Sequence, residues 1–305
     1  MTDIRKQRFS LVLIKPSHYD DDGYVIQWFR SAIPSNSLAV LYGLATECAD
    51  QKVLGDEVEL EIHAFDETNT RIRAEHIARL IEEADDGLVM LVGVQSNQFP
   101  RALDIAAPLR QRGIAVALGG FHVSGSIAML SDPGSDVHKA QQMGISLFAG
   151  EAEGHFSEVL SDALHGQLKP LYNFMSDLPN LSGVAPPILP PERVKRTAGA
   201  TTSLDAGRGC PYQCSFCTII NVQGQKSRRR SVDDIEQIVR ANVAQGLHSF
   251  FITDDNFARN KDWESILDRL IYCTRSRDSR LVSLFRLTSS VTVCRTSSRN
   301  VRVPV

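Results

Sequence analysis

The chain has 305 residues, 43% of them apolar, with 33 basic side chains against 36 acidic ones and a formal net charge of −3. That length accommodates about two domains, and the near-neutral balance gives no general drive toward nucleic acid or anionic membrane. No run approaches the ~18 apolar residues of a membrane span, and Met1–Arg8 leads into a strand pattern rather than a signal-peptide core. A cytoplasmic protein is therefore expected. Six cysteines, three of them within eight residues, do not form a disulfide framework in so long a chain and fit a reducing compartment.

Residues 1–166 alternate strand and helix patterns. Phe9–Ile14 is a continuous apolar run of strand length, and Val58–Ile62 alternates at period two. Leu88–Val94, Ile114–Leu118 and Ile145–Ala149 read as strands buried on both faces. Helical patterns lie between them at Ser37–Ala49, Arg73–Ala84, Pro100–Arg112 and Gly154–Leu164. This alternation predicts an α/β fold with a doubly wound parallel sheet, in which ligands sit beyond the carboxyl ends of the strands. Two glycine-bearing loops fall at those ends, Gly119-Gly120-Phe121-His122 and Gly150-Glu151-Ala152-Glu153-Gly154. Glycine lets a backbone approach a ligand closely, although each loop taken alone also suits a tight strand-to-helix turn.

Six prolines between Pro170 and Pro191 mark residues 167–200 as a linker, because proline continues neither a helix nor a central strand. A second unit over 201–275 opens with the short strand Thr201–Asp205. Ser231 caps a helix that runs to about Gln245, with Asp234 at the capping-box position. The strand Ser249–Thr253 ends in Asp254-Asp255, where a cap for the next helix needs only one acid and two are present. Arg228, Arg229 and Arg230 read as a solvated face or a binder of substrate anions.

The cysteines carry the most chemistry. Cys210, Cys214 and Cys217 follow a C-x3-C-x2-C spacing with no fourth Cys or His nearby, the next being Cys273 and His248. A structural zinc site needs a fourth ligand to close its tetrahedron. A four-iron cluster normally takes one thiolate per iron, so three local thiolates leave one iron open to an exogenous ligand.

From Ser203 to Cys217, including the aromatic Phe216 before the last cysteine, the segment resembles the cluster loop of the radical S-adenosylmethionine superfamily. The resemblance implies a [4Fe–4S] cluster on Cys210, Cys214 and Cys217 at the start of a radical (β/α) barrel. It also implies S-adenosylmethionine chelated at the open iron, with Phe216, Asp254 and Asp255 as cofactor-binding residues. An electron donor such as flavodoxin or ferredoxin and a small-molecule substrate follow from it, and no nucleic-acid partner.

The first domain is similar to the cobalamin-binding domain that precedes the barrel in one group of these enzymes. Gly119, Gly120, His122, Gly150 and Glu151 would then be cofactor-binding residues, and methylation through cobalamin the reaction. On that reading residues 1–166 bind cobalamin unaided, and Gly120→Val blocks the ligand while sparing the fold. His18 lacks the Asp and Gly that accompany a cobalt-ligating histidine in the D-x-H-x-x-G pattern, since Pro16 stands where the Asp belongs. Two alternatives remain: a cofactor-free substrate-binding first domain with a radical barrel, and an inactive zinc- or cluster-holding protein.

Past Asp278 the chain contains no Asp, Glu, Lys or Gly. Residues 276–305 are therefore expected to be an atypical tail, truncated or frame-shifted, with Leu281–Phe285 strand-like and the resemblance stopping near residue 275. The chain as it stands is expected to hold a cluster poorly and to turn over slowly.

Overall fold

The computed structural model describes residues 5–215, 217–254, 257, 260–275, 284–287 and 292–293. Apolar runs of strand length form β1 (Gln7–Lys15), β2 (Val58–Asp66), β3 (Asp86–Leu91), β4 (Ala115–Gly119) and β5 (Ser146–Ala149). A sixth strand, β6 (Leu171–Asn173), completes a sheet of order β2-β1-β3-β4-β5-β6 with every pairing parallel. The register is fixed on both sides of β1, where Leu11 faces Ile62 on β2 and Leu88 on β3.

Alternation along β1 splits its side chains between two cores. Phe9, Leu11 and Leu13 pack with α1 (Asn36–Asp50) and α6 (Phe156–Leu164). Val12 and Ile14 pack with α2 (Ala74–Glu82), α3 (Phe99–Gln111), α4 (Phe121–Met129) and α5 (Ser135–Gln142). A strand with an apolar core on each face reads as a continuous apolar run, which is why β1 shows no period-two pattern.

Residues 167–200, expected to be a linker, carry β6 and the short helix α7 (Pro191–Val194). Leu181 and Val194 are fully buried there. The segment is a packed strap: the Ile188 N–H donates to Ala39 O on α1 at 3.2 Å. The strap's Pro187 carbonyl accepts from Asn242 Nδ2 at 3.3 Å.

The second unit begins with β7 (Thr201–Leu204), then a two-stranded antiparallel ribbon of β8 (Gly207–Arg208) and β9 (Arg228–Arg229). The short helix α8 (Ile219–Val222) lies between the ribbon strands in sequence. Ser231 caps α9 (Val232–Ala244) as expected; its Oγ accepts from Asp234 N at 3.1 Å and its N–H donates to Asp234 Oδ2 at 2.8 Å. Parallel pairing of β7 with β10 (Ser249–Ile252), and of β10 with β11 (Leu284–Leu287), makes a second sheet, joined by antiparallel β12 (Thr292–Val293). Helix α9 and α10 (Trp263–Arg275) close over Leu204, Phe250 and Ile252. The strand expected at Leu281–Phe285 overlaps β11 at Leu284 and Phe285, and apart from β11 and β12 residues 276–305 lie outside the described residues.

Leu88 is fully buried between β1 and the α1/α6 layer. Leu88→Ala should lower the unfolding free energy by about 2–5 kcal/mol, measured by urea denaturation.

Candidate functional site at the seam between the sheets

The two sheets meet through charge. Arg208, on β8 two residues before Cys210, directs its guanidinium at three acids. Nε donates to Asp205 Oδ2 at 2.8 Å, Nη1 to Glu151 Oε2 at 2.9 Å, and Nη2 lies 2.7 Å from Glu153 Oε1. Arg228 on β9 grips Glu151 as well, Nη1 donating to Oε2 at 2.9 Å and Nη2 to Oε1. Arg230 is fully buried; its Nε donates to Asp205 O at 3.1 Å, and its Nη2 lies 3.4 Å from Asp205 Oδ1.

Arg230, fully buried, and Arg208 and Arg228, largely covered, therefore face three buried carboxylates, Glu151 and Glu153 from the first unit and Asp205 from their own. Burial alone would raise the Asp205 carboxyl, but Arg208 and Arg230 overcome it and hold the group well below the usual carboxylate range. Burial opposes the charge on Arg208 too, and Asp205, Glu153 and Glu151 overcome it. The expectation of a solvated or anion-binding face at 228–230 fails here, because Arg228 and Arg230 are already committed to acids of their own chain. Arg229 is the partly exposed one, and it pairs with Asp262 at 2.8 Å.

Beside this cluster lies a cavity of about 200 Å³. Its floor is the C-terminal part of β3 to β5, with Met90, Val92, Ala117 and Phe148 exposed to it. The walls come from α1, from α6 and from β6 through Tyr172. Burial, with a 2.7 Å hydrogen bond from its hydroxyl to Asp162 Oδ2, pushes the Tyr172 phenol up to about 12, so it stays neutral. The second unit supplies Arg208, Val222 and Gln223 to the same wall. Asn36 also lines it: its Nδ2 donates to Asp205 Oδ1 at 3.4 Å, while its Oδ1 is buried with no hydrogen-bond partner.

Several residues expected at the site do line the cavity: Gly119, Gly120, Gly150 and Glu151. His122 does not. Its ring packs on Phe99 with centroids 4.2 Å apart, and Nδ1 lies 3.1 Å from Ser96 Oγ. Burial pulls its pKa below the ordinary imidazole value. Gly120 is required by its own chain, because at φ +145° a Cβ there would sit 2.2 Å from Val94 N and 2.6 Å from Val94 O. The expectation that Gly120→Val spares the fold is therefore overturned.

Nor is the cavity complete within residues 1–166, since Tyr172, Arg208, Val222 and Gln223 lie beyond that boundary. Asp254 is buried, and its Oδ2 accepts from Ala206 N at 2.7 Å, pinning the exit of β7. It precedes α10 by nine residues and does not cap it. Asp255 and Phe216 lie outside the described residues.

The cysteine loop is stitched at its base. Cys210 N donates to Gly224 O at 3.2 Å, Gly209 N to Gln223 Oε1 at 3.3 Å, and Cys217 N to Cys214 O at 3.1 Å. Gly209 takes φ +79°, and a Cβ there would meet Lys226 O at 2.3 Å, so only glycine admits this closure. None of the three cysteines forms a disulfide, and Cys214 is exposed. Among the described residues no three Cys, His, Asp or Glu side chains are gathered closely enough to hold a metal ion. The loop fits a cluster in the kind, number and spacing of its thiols, without an assembled ligand geometry.

Residues 205–292 match the family described as the Radical SAM superfamily, which carries the likeness past residue 275, where it was expected to stop. Bacteriochlorophyllide d C-8(2)-methyltransferase of Chlorobaculum tepidum is 29% identical over 208 residues, 62% of this chain and 43% of that protein. The chain thus spans less than half the length of that relative. Among solved structures, the radical S-adenosylmethionine methyltransferase TsrM from Kitasatospora setae, with tryptophan and an S-adenosylmethionine analogue bound, superposes with a TM-score of 0.58 at 14% identity. That match covers 90% of this chain and 54% of TsrM. The cobalamin-dependent S-adenosylmethionine radical enzyme OxsB, with aqua-cobalamin and S-adenosylmethionine bound, gives 0.56 at 16% identity over 88% of this chain and 37% of its own.

Two outcomes follow from the seam. Gly120→Val should destabilise the first sheet by about 3 kcal/mol or more, read by urea denaturation, through steric overlap and strain. Asp205 contributes stability above the unfolded carboxylate pKa of about 3.9, and that contribution is lost as pH falls from there through its depressed folded value. Asp205→Asn should therefore lower stability at pH 7 and flatten the acid limb of the stability–pH curve below about pH 4. The cysteine loop and the parallel second sheet thus fall within the stretch, residues 205–292, that matches the Radical SAM superfamily, and a six-stranded parallel sheet precedes it.

Proposed function

We propose that this chain assembles the cofactors of a cobalamin-dependent radical S-adenosylmethionine enzyme that methylates a small molecule. The single observation that carries the reading is the cavity at the strand ends, walled on one side by residues flanking the cysteine loop. Its apolar floor suits the flat base of a cobalamin tail. The unpartnered Asn36 Oδ1 offers an acceptor to the N–H or O–H groups such a tail carries. Both features fit the group, and they fit it without a histidine ligand to cobalt.

In this reading Cys210, Cys214 and Cys217 hold a [4Fe–4S] cluster. When bound, the cluster supplies the electron that cleaves S-adenosylmethionine, and cobalamin supplies the methyl carrier. The protein's own part is positional. Asp254 fixes the turn after β7, Gly209 closes the loop base, and Arg208 ties that base to β5. An electron donor such as flavodoxin or ferredoxin completes the proposal, and the methyltransferase relative supports methylation as the reaction class.

Anaerobic reconstitution with iron and sulfide should give the visible absorbance of a thiolate-bound cluster. Alanine at any one of Cys210, Cys214 or Cys217 should abolish it. Cys48→Ala should not, since Cys48 is a buried thiol that burial pushes up to about 11. Cyanocobalamin should bind the full chain in an equilibrium titration. A zinc-only protein would end the radical reading, and a cluster without cobalamin binding would favour a cavity for part of the substrate.

A further inference from the structure

The cysteine loop and the cavity share their walls. On the entering side, Arg208 lines the cavity, bridges Glu151 and Glu153 on the first sheet, and stands two residues from Cys210. On the leaving side, Val222 and Gln223 line the same cavity within six residues of Cys217. Helix α8 rests on α4, where the first sheet's Gly125 faces Thr218 Cγ2 across 3.3 Å from an added Cβ. The two ends are joined to each other by the Gly209–Gln223 and Cys210–Gly224 hydrogen bonds.

A cluster requires its three thiolates to converge on one centre, whereas here the three side chains are not gathered. Both of the loop's anchors are cavity walls, so convergence of the thiolates and filling of the cavity act on the same few residues. We infer that the cavity and the cysteine loop are energetically coupled through Arg208, so that a ligand in the cavity favours the converged loop and a bound cluster raises affinity in the cavity. This rests on the reading that the cavity takes a cobalamin tail, and it makes Arg208 a positioning residue for Cys210. Coupling of this kind is reciprocal: each ligand changes the other's affinity by the same factor.

The test uses the full chain without iron and follows iodoacetamide alkylation of each cysteine by peptide mass spectrometry, with and without saturating cyanocobalamin. Alkylation of Cys210 and Cys217 should slow by about fivefold or more, with Cys48 as internal control. Cluster reconstitution should tighten cyanocobalamin binding by a similar factor. The charge-balanced double variant Arg208→Gln, Glu153→Gln, whose own cyanocobalamin affinity is titrated first, should lose most of that protection even at a cyanocobalamin concentration that saturates it. Should its circular dichroism show misfolding, Arg208→Lys, which keeps the charge but loses the planar fork, takes its place with the same expectation.

Cyanocobalamin binding with unchanged rates at Cys210 and Cys217 would overturn the coupling and leave the proposed function standing. Full protection retained in the folded variant would overturn the role given to Arg208. Failure of the native chain to bind cyanocobalamin would remove both the cofactor reading and this inference.

Discussion

Arg208, Arg228 and Arg230, packed at the seam with Glu151, Glu153 and Asp205, set the geometry on which the site depends. Bringing an ion out of water costs several kcal/mol even after relaxation, and attraction offsets that cost only with good geometry and further hydrogen bonds. The seam meets both conditions. Arg208 spreads its fork over Asp205, Glu151 and Glu153, while Arg228 also donates to Pro179 O at 2.8 Å and to Gln223 O at 3.0 Å. An apolar interface tolerates sliding; a guanidinium fork between fixed carboxylates does not. The latch thus sets where the cysteine loop stands relative to the strand ends of the first sheet.

The position of the cavity follows from a second buried pair. In a sheet of this order the switch point lies between β1 and β3, where a ligand crevice is expected. Glu67, at the end of β2 and fully buried, is paired with Arg101 at 2.6 Å and accepts from Ser17 N at 3.0 Å. Tyr19 adds its hydroxyl to Asp104 at 2.5 Å, and its ring lies 5.9 Å from the Arg101 guanidinium carbon. These groups occupy the ends of β1 and β2. Open space is left one step further along, over β3, β4 and β5, against the faces of α1 and α6.

Much of the first sheet was legible in the sequence because its strands are buried on two faces and so appear as apolar runs of the right length. What escaped notice lacks that signal. Helix α4 mixes apolar residues with His122, Ser124 and Ser126 and buries three in a row, Val123, Ser124 and Gly125, so it has no helical periodicity to read, and α5 buries only Val137 and Ala140. Strand β6 has three residues inside a proline-rich segment, where proline content suggested a linker. The cysteine loop was legible from spacing alone. Its anchors were not, because a basic run before a helix looks the same in sequence whether solvent or a carboxylate meets it. The one available signal was the match in number between Arg208, Arg228 and Arg230 and the acids Glu151, Glu153 and Asp205, all at strand ends. Gly120 was misread for a related reason. Sequence shows that a glycine is needed, but only the fold shows that Val94, rather than a ligand, requires it.

The same seam explains why the first sheet does not close the cavity by itself. Separated from the second unit, Glu151 and Glu153 would lose Arg208 and Arg228, and the cavity would lose Val222 and Gln223 from its wall. Two carboxylates deprived of cations either hydrate, which opens the wall to water, or take up protons. In either case the apolar floor formed by Met90, Val92 and Ala117 faces solvent rather than a closed pocket. Conversely, the cysteine loop without β5 has no partner for its nearest arginine. Neither sheet presents a finished site, and the chemistry that the cysteine spacing implies belongs to their junction.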